Sequence, residues 1–353
     1  MGGIVLFSDP HFSNRSAFGK FESNSEFPGC NSRFHHVAKA FRTAVDYAVD
    51  NDCESIFILG DVFHDRGMVE IPVYNATYQL FKECTSRGIA LRIYPGNHDL
   101  VDLRAMHVTK HLHSLFMYEK IAYVYEKPTI VDTAYFQVLV APFSNSSAYL
   151  LDATTKLADK MSGDIKMLML HHSVNGAITG PHEWVMEHRL DAKAFSDKFT
   201  HKWSGHYHFH QEVEGLWYVG GPVHHDFGER NYVPGFIHVS PDGTWKHIEN
   251  VEAPRFQVIE TKDPLDLTNI PSNNYVSIKW TGDIGEIENL KKTLPENCII
   301  EFKNTVTLMP ARTTIKTTDA VEDMITKFAK AKLTAVSDSD EYTKHGITLY
   351  KGK

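Results

Sequence analysis

The sequence predicts an α/β fold, with helices on the outside of a sheet layer and a small β-α-β unit behind it. Three observations predict it. Short apolar runs recur and end in polar or glycine punctuation, amphipathic helical patterns alternate with them, and the character of the chain changes near residue 250. A single core stops growing near ~250 to 300 residues, so 353 residues point to one large domain and a smaller one.

The runs GIVLFSD (3–9), SIFILGD (55–61), LRIYPGNHD (91–99), FQVLVAPF (136–143) and KMLMLHH (166–172) are short and rich in β-branched and aromatic residues, as buried strands are. Between the first two, Phe34, Val37, Ala38, Phe41, Ala44, Val45 and Ala48 recur at spacings of three and four. That spacing predicts a helix over 33–50 with one apolar stripe. A second helix should open at Pro72 and close at Gly88, and a third should span 148–161. FIHVSPDGTWKHIENV (236–251) predicts a hairpin turning at Asp242-Gly243, and VEAPRF then leaves the first domain. Beyond it YVSIKW (275–280), a helix near 284–294 and CIIEFK (298–303) form the β-α-β unit. An amphipathic stretch, 320–333, carries Val321, Met324, Ile325 and Phe328 on one face and precedes a polar tail. There is no internal repeat and no low-complexity tract.

A net charge of -8 excludes a chain whose whole surface attracts nucleic acid, so a polyanion must be bound locally. Cys30, Cys53, Cys84 and Cys298 are scattered without CxxC pairing, which suggests neither disulfides nor a thiolate zinc site. That pattern points to a reduced, intracellular chain. MGGIVLFSD is too short for a signal sequence and no apolar run approaches a membrane span, so no membrane is expected.

Twenty-one histidines is a high count, and several of them cluster at the strand ends. SDPH carries Asp9 and His11, GD carries Asp61, GNHD carries Asn97, His98 and Asp99, LHH carries His171 and His172, and GHYH carries His206 and His208. Side chains just past the carboxyl ends of strands in α/β sheets converge on one crevice. Imidazole, carboxylate and amide donors in that number suit a pair of divalent ions that activate water for attack on phosphorus. Any one of these short motifs is an ordinary strand-end turn in most proteins; five in this order on strand ends are not.

Asp9-x-His11, Gly60-Asp61, Gly96-Asn97-His98-Asp99, His171 and Gly205-His206-x-His208 together resemble the signature of calcineurin-like metallophosphoesterases over about residues 1–250. The resemblance implies a four-layer α/β/β/α sandwich, followed by a small α+β capping domain. It implies Asp9, His11 and His208 on one metal, Asn97, His171 and His206 on the other, and Asp61 bridging both. It also implies His98 beside the metals as a stabiliser or acid, with Asp99 orienting its ring. His172 should point to the other face of its strand, in a supporting or structural role.

GDVFHDRG (60–67) decides the branch. Protein Ser/Thr phosphatases carry GDxxDRG and GNHE; this chain has one residue more and GNHD, which should displace Arg66 from the phosphatase position. Asp61, Phe63 and His64 instead resemble SbcD-type DNA repair nucleases, with His64 and Arg66 near the substrate backbone. GGPVHHDFGE (220–229) resembles the stretch that follows the last metal motif in those proteins. The resemblance implies a Mn-dependent nuclease, acting as exonuclease on duplex DNA ends and endonuclease on single strands. Its partner would be an SbcC-type coiled-coil ATPase, and a homodimer is compatible with it. The compact size suits a bacteriophage version. The domains would be 1–253 nuclease, 254–310 capping and DNA-binding, and 311–353 a C-terminal segment that either binds the ATPase or packs on the cap. The polar insertion 12–33 has two readings, a loop that touches substrate or partner and plain surface decoration. A phosphomonoesterase or cyclic-nucleotide phosphodiesterase is the alternative enzyme, and a silent scaffold is the alternative of another class; no ligand position is missing to favour the latter.

Overall fold

A computed structural model describes residues 2–15, 18–101, 115–180, 184–187, 189–267, 270, 274–303, 320–332 and 339–351. The first sheet is built from β1 (Ile4–Phe7), β2 (Ser55–Ile58), β3 (Ala90–Ile93) and β4 (Tyr123–Val124), which run parallel, with β13 (Gly235–Val239) antiparallel to β1 and β14 (Trp245–Glu249) antiparallel to β13 at that edge. The second comprises β5 (Thr129–Asp132), β6 (Gln137–Ala141), β7 (Lys166–His171), β10 (His201–Gly205), β11 (Gln211–Val213) and β12 (Leu216–Tyr218), in the order β11-β12-β10-β7-β6-β5. β8 (Ile178–Thr179) and β9 (Trp184–Val185) form a separate short ribbon.

The strand pleat explains how the sheets stack. Ile4, Leu6, Phe57 and Leu59 point to the inner face and pack with Val138, Val140, Met167, Met169 and Trp203 of the second sheet. The alternate residues Val5, Phe7, Ile56 and Ile58 point outward onto the helices α1 (Ser32–Asp50) and α2 (Ile71–Ser86). On the far side, Leu139, Leu168 and Leu170 pack with Leu150 and Ala158 of α3 (Ser147–Ala158). Local chemistry starts these helices where the sequence indicates. Asn31 caps α1 by accepting from Phe34 N at 3.0 Å, proline opens α2, and Ser146 caps α3 by accepting from Tyr149 N at 3.2 Å.

The C-terminal region has one strand more than the sequence suggested. β15 (Phe256–Thr261), β16 (Tyr275–Trp280) and β17 (Cys298–Phe302) make a parallel three-stranded sheet. One face is covered by α4 (Ile287–Thr293) around Val276, Ile278, Trp280 and Ile287. α5 (Val321–Lys332) occupies the amphipathic stretch, although Leu333 lies outside the described residues. The polar tail also folds, as α6 (Ser339–Tyr350), whose Gly346 sits against Ile325 of α5. Lys351 pairs with Glu322 at 2.7 Å.

The described residues of the insertion at 12–33 are more than surface decoration. Asn14 ties it together by bonding Gly29 O at 2.8 Å, Asn31 N at 2.9 Å and Glu70 at 2.7 Å. Phe18 stands edge-on to Phe227 and Phe256, both 5.7 Å away, and lies 5.0 Å from Tyr275. Buried Arg33 lies over Phe256 at 5.2 Å and Tyr275 at 5.0 Å, and donates to the His224 carbonyl. The insertion is thus a joint between the large body and the three-stranded sheet.

Candidate metal centre

β1, β2, β3, β7 and β10 all end at one edge of the two stacked sheets, and each delivers a donor there. The backbone is forced into unusual shapes at these ends. Asp9, His11, Asp61 and His206 have φ of 50°, 48°, 51° and 88°, four of the six non-glycine residues at positive φ among those described. Such conformations cost on the order of 1–3 kcal/mol each and persist where surroundings over-determine them. Gly60, at φ 85°, is required twice over: a Cβ there would lie 2.5 Å from His171 Nδ1 and 2.8 Å from the Gly96 backbone.

Two groups that contain a carboxylate result: Asp9, His11 and His208 converge in one, Asp61, His171 and His206 in the other, and Asn97 joins the second; His11, His64 and His98 form a further, all-histidine cluster toward the rim. His11 Nε2 is 3.2 Å from His208 Nε2 and 3.5 Å from Asp61 Oδ2. Asn97 Oδ1 is 3.0 Å from His171 Nε2 and 2.8 Å from His206 Nδ1, and Asp61 Oδ1 is 3.3 Å from His171 Nε2. Asp61 therefore presents one oxygen to each group. Separations near 3 Å match the spacing of neighbouring donors around an ion about 2.1 Å from each.

The outer partners fix which nitrogen faces inward. His171 Nδ1 donates to Leu59 O at 2.7 Å, and His208 Nδ1 donates to Glu229 Oε1, so both turn Nε2 toward the centre. Glu229 is buried and further held by His225 N at 2.6 Å and the Tyr232 hydroxyl at 3.0 Å. Glu229 and His225, whose Nε2 donates to Asp9 O at 3.2 Å, were not singled out from the sequence. Only the FGE string that contains Glu229 signalled them, and no local pattern links a glutamate to a histidine twenty-one positions earlier.

Electrostatically the centre couples its carboxylates to protonated imidazoles. Burial would raise Asp61, yet His171 and the other imidazoles outweigh it and hold it well below the carboxylate range, while burial raises Asp9. Burial would lower His171 and His208, but Asp61 and Glu229 respectively outweigh it and raise each to about 9. Protons thus stand where cations would. Buried His/Asp groups of this kind could hold metal ions, and no cysteine lies among them.

The sign of the pH dependence follows. Both histidine values are raised, so below about pH 9 an ion must displace protons from His171 and His208. Mn affinity should rise from pH 6 to 9, by up to about tenfold per unit for each proton displaced. Calorimetry in buffers of different ionisation enthalpy counts the protons released. Glu229→Gln should weaken Mn binding about 10- to 100-fold and flatten the rise, because His208 loses the charge that holds its proton. An unchanged profile would contradict the assignment.

His98 and Asp99 occupy different environments. His98 N donates to Asp61 Oδ1 at 2.8 Å, and its ring packs 4.8 Å from His11. Asp99 was expected to orient that ring. The structure gives this part to the His64 carbonyl, 2.6 Å from His98 Nδ1. The Asp99 carboxylate instead accepts from Gly96 N at 2.9 Å, Phe63 N at 3.1 Å and Val62 N at 3.2 Å, pinning the GD and GNHD turns together. Burial and the Asp61 charge push its pKa up to about 7. Phe63 is buried against Tyr74 and Tyr118, which turns His64 out to the rim, 5.4 Å from the His98 ring. Arg66 is exposed on an open cleft of about 570 Å³ that also reaches Asn97, His172 and His206.

No family model matches the chain. A curated protein named Exonuclease subunit 1, from Enterobacteria phage T4, is 26% identical to it over 198 residues. The chain is a distant homologue of that subunit. The match covers 55% of this chain and 55% of the phage protein, so it spans about half of each. Among the described residues no helix is long and apolar enough to cross a membrane.

Proposed function

We propose that this chain is the nuclease subunit of a DNA-processing complex, hydrolysing phosphodiesters with two divalent ions, Mn foremost. The observation that carries the reading is Asp61, which offers Oδ2 to the Asp9/His11/His208 group and Oδ1 to the Asn97/His171/His206 group. The distant homology to an exonuclease subunit supports nucleic acid as the substrate. Two ions held by these residues would supply Lewis acidity and an activated water. The chain's own residues do the rest. Asp99 fixes the two turns that carry Asp61 and Asn97. His98, held through Nδ1 by the His64 carbonyl, keeps Nε2 for the scissile phosphate or, when protonated, for the departing oxygen.

On this reading residues 1–253 are the metallophosphoesterase sandwich and 254–310 the cap. Residues 311–353 would engage an SbcC-type ATPase through α5, whose Phe328 is 54% exposed. Sequence preference is not expected, because phosphate contacts position a duplex without reading bases. The test is product analysis with Mn on end-labelled duplex, single-stranded DNA and p-nitrophenyl phosphate. Nucleotide release from duplex ends together with internal nicks in single strands is the expected result. Hydrolysis of the chromogenic monoester alone would overturn the reading in favour of a phosphomonoesterase.

A further inference from the structure

We infer that Arg66 and Arg189 form a subsite for a phosphate group of the substrate next to the scissile one. The inference rests on the nuclease reading, and it concerns the cleft of about 570 Å³ that opens from the Asn97/His206 side of the metal centre. Both arginines border this cleft, both are exposed, and neither guanidinium has an ion-pair or hydrogen-bond partner among the described residues. Elsewhere the surface arginines are engaged: Arg42 with Glu26 and Glu83, Arg87 with Asp46, Arg255 with Glu249, Arg15 with Asp65. Two unengaged guanidiniums on one cleft, in a chain of net charge -8, are a local cationic feature against the overall sign.

The rest of the lining fits an anion. Ser147, the first residue of α3, and Asn145 border the cleft, so the twelve-residue helix turns its N-terminal end toward it. His172 borders it as well. Its Nδ1 accepts from Ser173 N at 2.9 Å, which leaves the proton of the neutral ring on Nε2, a buried atom without a hydrogen-bond partner. The single carboxylate of the lining, Asp191, accepts from Lys193 N at 2.9 Å in its own turn. Two arginines and a helix N-terminus make a set of donors for phosphate oxygens. The cleft is too large for the scissile group alone and continuous with the residues that hold it, so a neighbouring phosphate of a nucleic acid strand is the ligand class.

Arg66→Ala/Arg189→Ala is the variant to make, because both side chains are exposed and neither anchors the fold. Fluorescence anisotropy with a labelled single-stranded oligonucleotide in EDTA reads binding without hydrolysis. The variant should bind at least tenfold more weakly, and its salt dependence should fall by roughly 0.7 in log–log slope for each phosphate that is no longer neutralised. With Mn, its loss on the oligonucleotide should exceed its loss on bis(p-nitrophenyl) phosphate, which has no neighbouring phosphate, by tenfold or more. Equal losses on the two substrates would place the arginines at the scissile phosphate and overturn the subsite, as would unchanged oligonucleotide affinity. A wild type that binds the oligonucleotide through these arginines but cleaves no DNA would refute the nuclease reading and leave the subsite standing.

Discussion

Asp61→Asn should eliminate hydrolysis of end-labelled duplex, by at least about a thousandfold, or ~4 kcal/mol of barrier. The substitution keeps volume and one oxygen at a position 2% exposed, so packing changes little. What it removes is the charge and one of two oxygens, and each oxygen faces a different donor group, at 3.5 Å from His11 and 3.3 Å from His171. An amide nitrogen in either place would meet an imidazole instead of a cation. Mn stoichiometry by calorimetry should therefore drop below two. Thermal unfolding gives a second readout. The metal-free variant should be less stable than the wild type, because the Asp61 charge that is held well below the carboxylate range and raises His171 to about 9 has gone. Its gain in Tm on adding Mn should shrink, since that gain reports binding to the folded state. Retention of two ions with only a tenfold rate loss would sink the shared-carboxylate geometry.

The strand ends were legible because a buried strand is a local object. A short apolar run closed by Gly-Asp or Gly-Asn-His-Asp announces both the strand and the donors at its tip, and the structure puts those tips on one edge. α1 was legible for a similar reason, its stripe from Phe34 to Ala48 being the face it buries. The residues that hold the donors were not legible. Glu229 reaches His208 only because the 221–230 segment folds back, and that path depends on Phe227 packing against Phe18 and Phe256. Phe18 sits in a polar stretch with no periodicity, so its part in the joint is visible only in three dimensions. Asp99 shows the same limit from the other side. Its place beside His98 in sequence suggested a ring-orienting role, yet a carboxylate one residue on from the histidine turns inward to three backbone N–H groups, and a carbonyl from the neighbouring loop meets the ring.

His98→Ala should separate catalysis from metal binding. The backbone N–H that supports Asp61 Oδ1 at 2.8 Å survives the substitution, and the ring clusters with His11 and His64 at the rim, outside the two groups that Asp61 joins. Mn affinity and stoichiometry should therefore stay near wild type, while turnover of DNA falls about 100- to 10,000-fold, the usual range for loss of a positioned acid or base. The leaving group supplies the discriminating readout. A deoxyribose oxygen must be protonated or stabilised as it departs, whereas p-nitrophenolate departs unaided. If His98 acts on the leaving oxygen, the variant should lose far less on bis(p-nitrophenyl) phosphate than on DNA. If it acts on the non-bridging oxygens of the scissile phosphate, the two losses should be equal, because both substrates carry them. Full activity on DNA would remove His98 from the mechanism, and loss of Mn would make it a ligand; the 4.8 Å ring spacing to His11 makes that last outcome the sharpest test of its place beside the centre.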